Sequence, residues 1–252
     1  MHTRLTCFYI LLFAFLPLLT WGQIVNIEDR RGTFSDSIGW HENLNLAVAL
    51  NKNKKTVTSI SGTFQIEMLH RKRLFLSISK FNFVKAGGED FVNQGFQHLR
   101  FNRFVNENLQ FETFAQIQYN TLIFIRLRAL AGTGIKFRFI NRPKQKMNLG
   151  LAGMYEYNEE IDNITRNDIR VSTYFSMALK LSDTATFSST TYFQPRWDKI
   201  SDYRLSTDST LRFKFLGNVD FVVSFNLTYD SRVPGDFVKT IYALSNGISY
   251  RF

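Results

Sequence analysis

A hydrolase built on a serine and a histidine needs the histidine within hydrogen-bond reach of its nucleophile. Past the first residues the sequence offers only His41, His70 and His98, all in its first half. None lies in a recognisable nucleophile signature. A lipid hydrolase would need His41 or His98 beside a serine at a membrane-facing rim, so this class stands as a remote alternative and no enzymatic activity is expected. No histidine or carboxylate pair stands at metal-ligand spacing. Gly132 and Gly134 fall within a strand pattern, where glycine marks close backbone approach or a bend, and not in a phosphate loop. The expectation is therefore no catalytic residue, no metal and no cofactor.

The charged residues say more, because they recur at every second position. Arg126, Arg128, Lys136 and Arg138 form one such series; Asp168, Arg170 and Lys180 form another. Arg204, Asp208, Arg212 and Lys214 form a third, and Glu112 and Glu156 occupy equivalent places in their own segments. Successive strand side chains point to opposite faces, so each series shares one face of a strand. The opposite faces are apolar: Leu127, Ala129, Ala131, Thr133, Ile135, Phe137 and Phe139 in the first case, Ile169, Val171, Thr173, Phe175, Met177, Leu179 and Leu181 in the second. Helical spacing fits neither run. The same alternation runs through Tyr203–Phe215 and Val219–Tyr229.

These segments exceed the roughly 9–11 residues that cross a bilayer as a tilted strand, whereas ordinary strands centre on about 5–6. Tyrosines and phenylalanines gather at their ends on the apolar face, as in an aromatic girdle. Short links are expected at Arg71–Arg73, Val105–Asn108, Ser182–Thr184 and Leu216–Asn218. Longer polar loops are expected at Ala86–Val92, Asn158–Asn167, Pro195–Ser201 and Ser231–Val238. Asn120–Leu122 reads as short on the loop side, and Asn141–Lys146 as long on the turn side. The fold class expected is all-β: a closed antiparallel up-and-down transmembrane β-barrel of about twelve strands. A spanning sheet leaves no unpaired edge in lipid, so the last strand is expected to close on the first, near Trp40–Leu50.

The mean hydropathy of −0.15 would suit a soluble protein, but a barrel with a polar lumen gives the same average. Residues 1–22 read as a cleaved secretory signal, with a basic Arg4, an apolar run Phe8–Leu19 and small residues after it. The single cysteine, Cys7, lies within it, so no disulfide is expected. Residues 23–36 form a periplasmic segment and 37–252 the barrel. In the final stretch Tyr242, Leu244, Ile248, Tyr250 and Phe252 share a face. That ending resembles the C-terminal strand by which outer-membrane barrels are recognised for insertion, which makes Ile248, Tyr250 and Phe252 an assembly signal and the barrel-assembly machinery a partner.

The later part of the chain also resembles the salt-induced outer-membrane protein family. The resemblance is carried by Gln97-His98-Leu99-Arg100-Phe101-Asn102-Arg103-Phe104, by Glu112-Thr113-Phe114-Ala115-Gln116, by Leu127-Arg128-Ala129-Leu130, and by Tyr229-Asp230-Ser231-Arg232. It covers roughly 93–252. It implies a bacterial outer-membrane β-barrel and brings no catalytic residues.

Two functions follow for a charged lumen. Paired charges would fill and rigidify a narrow barrel in a structural or envelope-homeostasis role, or excess cations would line a water-filled pore or transport path preferring anions. The net charge of +10, from 31 basic and 21 acidic residues, fits either. Basic residues alternating through strands do not form a nucleic-acid face. The partners expected are outer-membrane lipid and small ions or solutes, in the bacterial outer membrane.

Overall fold

The computed structural model describes residues 38–52, 56–161, 163–217, 219–233 and 238–250. The signal at 1–22, the segment 23–36 and Phe252 lie outside them. Twelve strands follow in chain order: β1 Gly39–Lys52, β2 Thr56–His70, β3 Arg73–Ala86, β4 Glu89–Phe104, β5 Leu109–Asn120, β6 Ile125–Arg142, β7 Gln145–Glu160, β8 Thr165–Lys180, β9 Ala185–Arg196, β10 Lys199–Leu216, β11 Val219–Asp230 and β12 Thr240–Tyr250. A 3-10 turn, Thr121–Ile123, joins β5 to β6. Each strand pairs antiparallel with the next, in the order β1 to β12. Strand lengths run from 11 residues in β12 to 18 in β6 and β10.

The alternation of residue types sets the register, because a one-residue slip would carry every charge to the apolar side. Lys136 lies opposite Gly150 and Gly132 opposite Met154 across β6 and β7. The sheet curls until strands three apart touch. The Tyr174 hydroxyl on β8 donates to Glu112 on β5 at 2.6 Å, and Arg204 on β10 donates to Glu156 on β7.

The enclosed side is polar. Among the described residues 26 buried side chains are polar or charged and 13 are apolar, the reverse of a water-soluble core. The outer side carries the large apolar residues: Leu44 and Leu46 on β1, Ile117 on β5, Ile135 on β6, Leu151 on β7, Ile169 on β8 and Tyr242 on β12 are all exposed. Within the described residues β1 pairs with β2 and β12 with β11, and the pairing that would close the sheet is not among them.

The links depart from the expected alternation of short turns and long loops. The supposed loop at Ala86–Val92 is the two-residue turn Gly87–Gly88, with φ of 64° and 96°. Two successive positive φ values match the twist of a hairpin and suit glycine. Trp197–Asp198 likewise replaces the loop expected at Pro195–Ser201, and Pro143–Lys144 the long link at Asn141–Lys146. In each case the strands continue through polar residues, because a paired backbone satisfies its hydrogen bonds whatever the side chain. The link from β11 to β12 is the longest, at 231–239.

Candidate functional site

The enclosed face falls into three levels between the end bearing the β7–β8, β9–β10 and β11–β12 links, called the loop end, and the opposite turn end. The loop-end half is filled by ion pairs. Arg170 on β8 is fully buried. Its Nη2 lies 3.3 Å from Asp168 and 3.0 Å from Asp202, and its Nε lies 3.6 Å from Glu156. Its Nη1 donates to the Gln194 carbonyl. Arg204 bridges Glu156 and Asp230, and Arg128 approaches Glu156 while donating to Asn158. Arg196 reaches both Asp168 and Asp202. Arg232, beyond the end of β11, folds in to reach the same two carboxylates, each at 2.7 Å. Five guanidiniums thus face four carboxylates, so the charges nearly cancel, as buried charges must.

A collar lies at mid-height. Glu112 accepts hydrogen bonds from Tyr174 and from Asn102 at 2.6 Å each and pairs with Arg100 at 3.5 Å. Arg100 also sits over the Phe114 ring. The wall gives these rings room by omitting side chains. A Cβ on Gly150 would meet the Tyr174 ring at 2.0 Å, and one on Gly132 would meet Phe114 Cζ at 2.5 Å and the Gly153 carbonyl at 2.8 Å. His98 stacks on Phe114 and shares a 2.9 Å hydrogen bond with Gln116 inside the collar. It therefore faces the interior and not a lipid-facing serine.

The turn-end half is open. A cavity of about 650 Å³ lies there, while the spaces at the collar and in the loop-end half measure about 40 and 60 Å³. Eight basic side chains line the large cavity, among them Lys136, Arg138, Lys146 and Lys214; the carboxylates in its lining are Glu67 and Glu107.

Of the residues singled out in the sequence, Arg128, Arg170, Arg204, Glu156 and Asp168 meet in the loop-end network, and Glu112 in the collar. Lys136, Arg138, Lys180, Arg212 and Lys214 line the large cavity, with Arg212 paired to Asp220 at 3.2 Å. Asp208 is half-buried on the same face of β10. Arg126 is the correction. Pairing jumps between Ile125 and Leu127, and the bulge places Arg126 outside the alternation. It is exposed and paired with Glu159 at 3.2 Å and with Asn163 at 3.0 Å. Ile248 is exposed on β12 and Tyr250 ends that strand.

Arg100, Arg196, Arg232 and Tyr174 belong to these sites without standing in the charged series read from the sequence. Arg100 and Tyr174 carry the same parity signal as their neighbours and were legible. Arg232 lies past the strand, where parity stops. At the rims, hydrogen bonds from Arg196 and Lys180 hold the Asp198 and Asp183 carboxyls below their ordinary values.

Residues 44–252 match the family described as "Protein of unknown function, DUF481". Comparison with curated proteins gives no match. Among solved structures, the NanC porin is similar at 7% identity and a TM-score of 0.47, over 82% of this chain and all of its own. A bacterial polysaccharide outer-membrane secretin is similar at 9% identity and 0.48, over 84% and 91%. The translocator domain of the autotransporter NalP from Neisseria meningitidis is similar at 9% identity and 0.44, over 90% and 95%. The family match spans most of the sequence and begins well before residue 93, where the sequence resemblance began: the chain belongs to the DUF481 family.

Proposed function

We propose that this DUF481 protein is a closed outer-membrane β-barrel that acts as a narrow, anion-preferring pore and carries no catalytic site. The observation that supports it is the inverted packing. Charged side chains fill the enclosed face, while leucines, isoleucines and phenylalanines cover the outside on nearly every strand. In water such a surface would far exceed the few hundred Å² of contiguous apolar patch that soluble proteins tolerate. Against lipid it is the required solvent contact.

Lipid leaves no partner for the outer edges of β1 and β12, so these two strands pair and close the barrel. The chain reaches the outer membrane through the cleaved signal at 1–22, and Ile248, Tyr250 and Phe252 present the final strand to the assembly machinery. The resemblance to salt-induced outer-membrane proteins supports the same address.

The pore is narrow because ion pairs occupy its loop-end half and Tyr174 bridges to Glu112 at mid-height. It prefers anions because the wider half is lined by cations. Single-channel recording of the refolded mature chain in a planar bilayer tests this reading. The expected result is a small, anion-selective conductance that rises in Tyr174→Ala, where the collar loses its bridging ring. A folded barrel without conductance in either form would contradict the pore and leave a plugged, structural barrel.

A further inference from the structure

We infer that the turn-end cavity is a binding site for a small multivalent anion bearing phosphate groups. The inference rests on the barrel reading, which makes this cavity the turn-side mouth of the interior. Its volume of about 650 Å³ falls within the roughly 300–1,000 Å³ of small-molecule sites. It is narrowed at one end, because the collar beyond it leaves only about 40 Å³.

Charge sets the ligand class. Lys136 and Arg138 come from β6, Lys146 from β7, Lys180 from β8, and Arg212 and Lys214 from β10, so the cations converge from four strands. The acidic groups that offset them are Glu67 and Glu107 in the lining, Asp183 against Lys180 at 2.8 Å, and Asp220 against Arg212. Counting these four and Asp208, which faces the same interior beside the lining residues Thr190 and Thr210, against the eight basic side chains leaves a net of about three positive charges. A monovalent anion meets few of these cations at once, whereas a chain of phosphates spans several and forms charge-assisted hydrogen bonds with each. Neutral groups of the lining hold one cation in place: Asn148 accepts from Arg138 Nε at 3.1 Å and donates to Ser176 at 3.1 Å, which fixes the guanidinium in the wall.

Isothermal titration of tripolyphosphate into the refolded, detergent-solubilised mature chain tests the site. Dihexanoyl-phosphatidylglycerol forms a second arm that separates a lipid headgroup from a free solute. Tripolyphosphate is expected to bind and to lose at least tenfold in affinity in Lys136→Gln/Lys146→Gln/Lys214→Gln. The loop-end variant Lys199→Gln/Lys239→Gln is expected to bind like the parent. Tighter binding of the short-chain lipid, whose phosphodiester carries a single charge, with the same dependence on the three lysines would overturn the multivalent ligand and give the cavity to a lipid headgroup.

Absence of binding to protein shown to be folded by heat-modifiable gel mobility would overturn the proposal. So would equal binding by both variants. A folded barrel that conducts anions without binding overturns the site alone, and binding without conductance overturns the pore alone.

Discussion

Arg170 and Arg126 show how differently one residue type behaves on the two sides of this sheet. Arg170 has no exposure and touches three carboxylates; Arg126 is exposed and pairs with Glu159 at the rim. Removing Arg170 takes a fully buried, shared partner from Asp168, Asp202 and Glu156, which keep Arg196, Arg232, Arg204 and Arg128. The cost falls below the about 3–5 kcal/mol of a buried charge left unpaired but above the about 0–1 kcal/mol of an exposed pair. Arg170→Ala should therefore lower the urea midpoint of the folded protein in detergent more than Arg126→Ala. Equal shifts would mean that the loop-end network is solvated. Tyr174→Phe removes a hydroxyl donating to a buried carboxylate and should cost about 1.5–3 kcal/mol in the same assay. Most of these side chains were legible from parity alone, because the alternation of charge with apolar residues names the enclosed face strand by strand. Arg126 misled because a bulge leaves no mark in the residue types around it.

The strands were more legible than their connections. Long alternating runs give a period-two signal that no helix mimics, and the described residues form twelve strands where about twelve were expected. The links at 87–88, 143–144 and 197–198 are two-residue turns because pairing extends through polar residues that composition alone assigns to loops. At this scale the apolar face of β6 makes a direct prediction. Ile135 is exposed on the outer side, with Lys136 buried beside it. Ile135→Arg should destabilise the refolded protein in lipid by about 2–4 kcal/mol, the cost of a cation near the midplane. An unchanged stability in lipid vesicles would place Ile135 in water. Gly134 tests the wall itself: a Cβ there would lie 2.2 Å from the Leu151 carbonyl oxygen, so Gly134→Val should fail to reach the folded, heat-modifiable form.

For the whole molecule, the decisive property is which side of the sheet meets which solvent. The sequence made the curled, inverted sheet readable because its charges and aromatics alternate over nearly every strand. It could not reveal the division of the interior into an ion-paired half and an open basic half. That division depends on contacts between strands three apart, such as Tyr174 with Glu112, and on Arg232 folding back from a loop. Spin labels placed one at a time along β7, from Asn148 to Tyr155, test the inversion directly after reconstitution into lipid vesicles. Labels at Leu149, Leu151, Gly153 and Tyr155 should relax strongly with dissolved oxygen, which partitions into lipid. Labels at Asn148, Ala152 and Met154 should not; Gly150, where even a Cβ would meet the Tyr174 ring, and Glu156, which holds the ion-pair network, carry no label. That two-residue alternation is what a lipid-facing sheet with a polar interior predicts; oxygen accessibility that is uniform along β7, or water-soluble relaxation agents reaching Leu151, would contradict it.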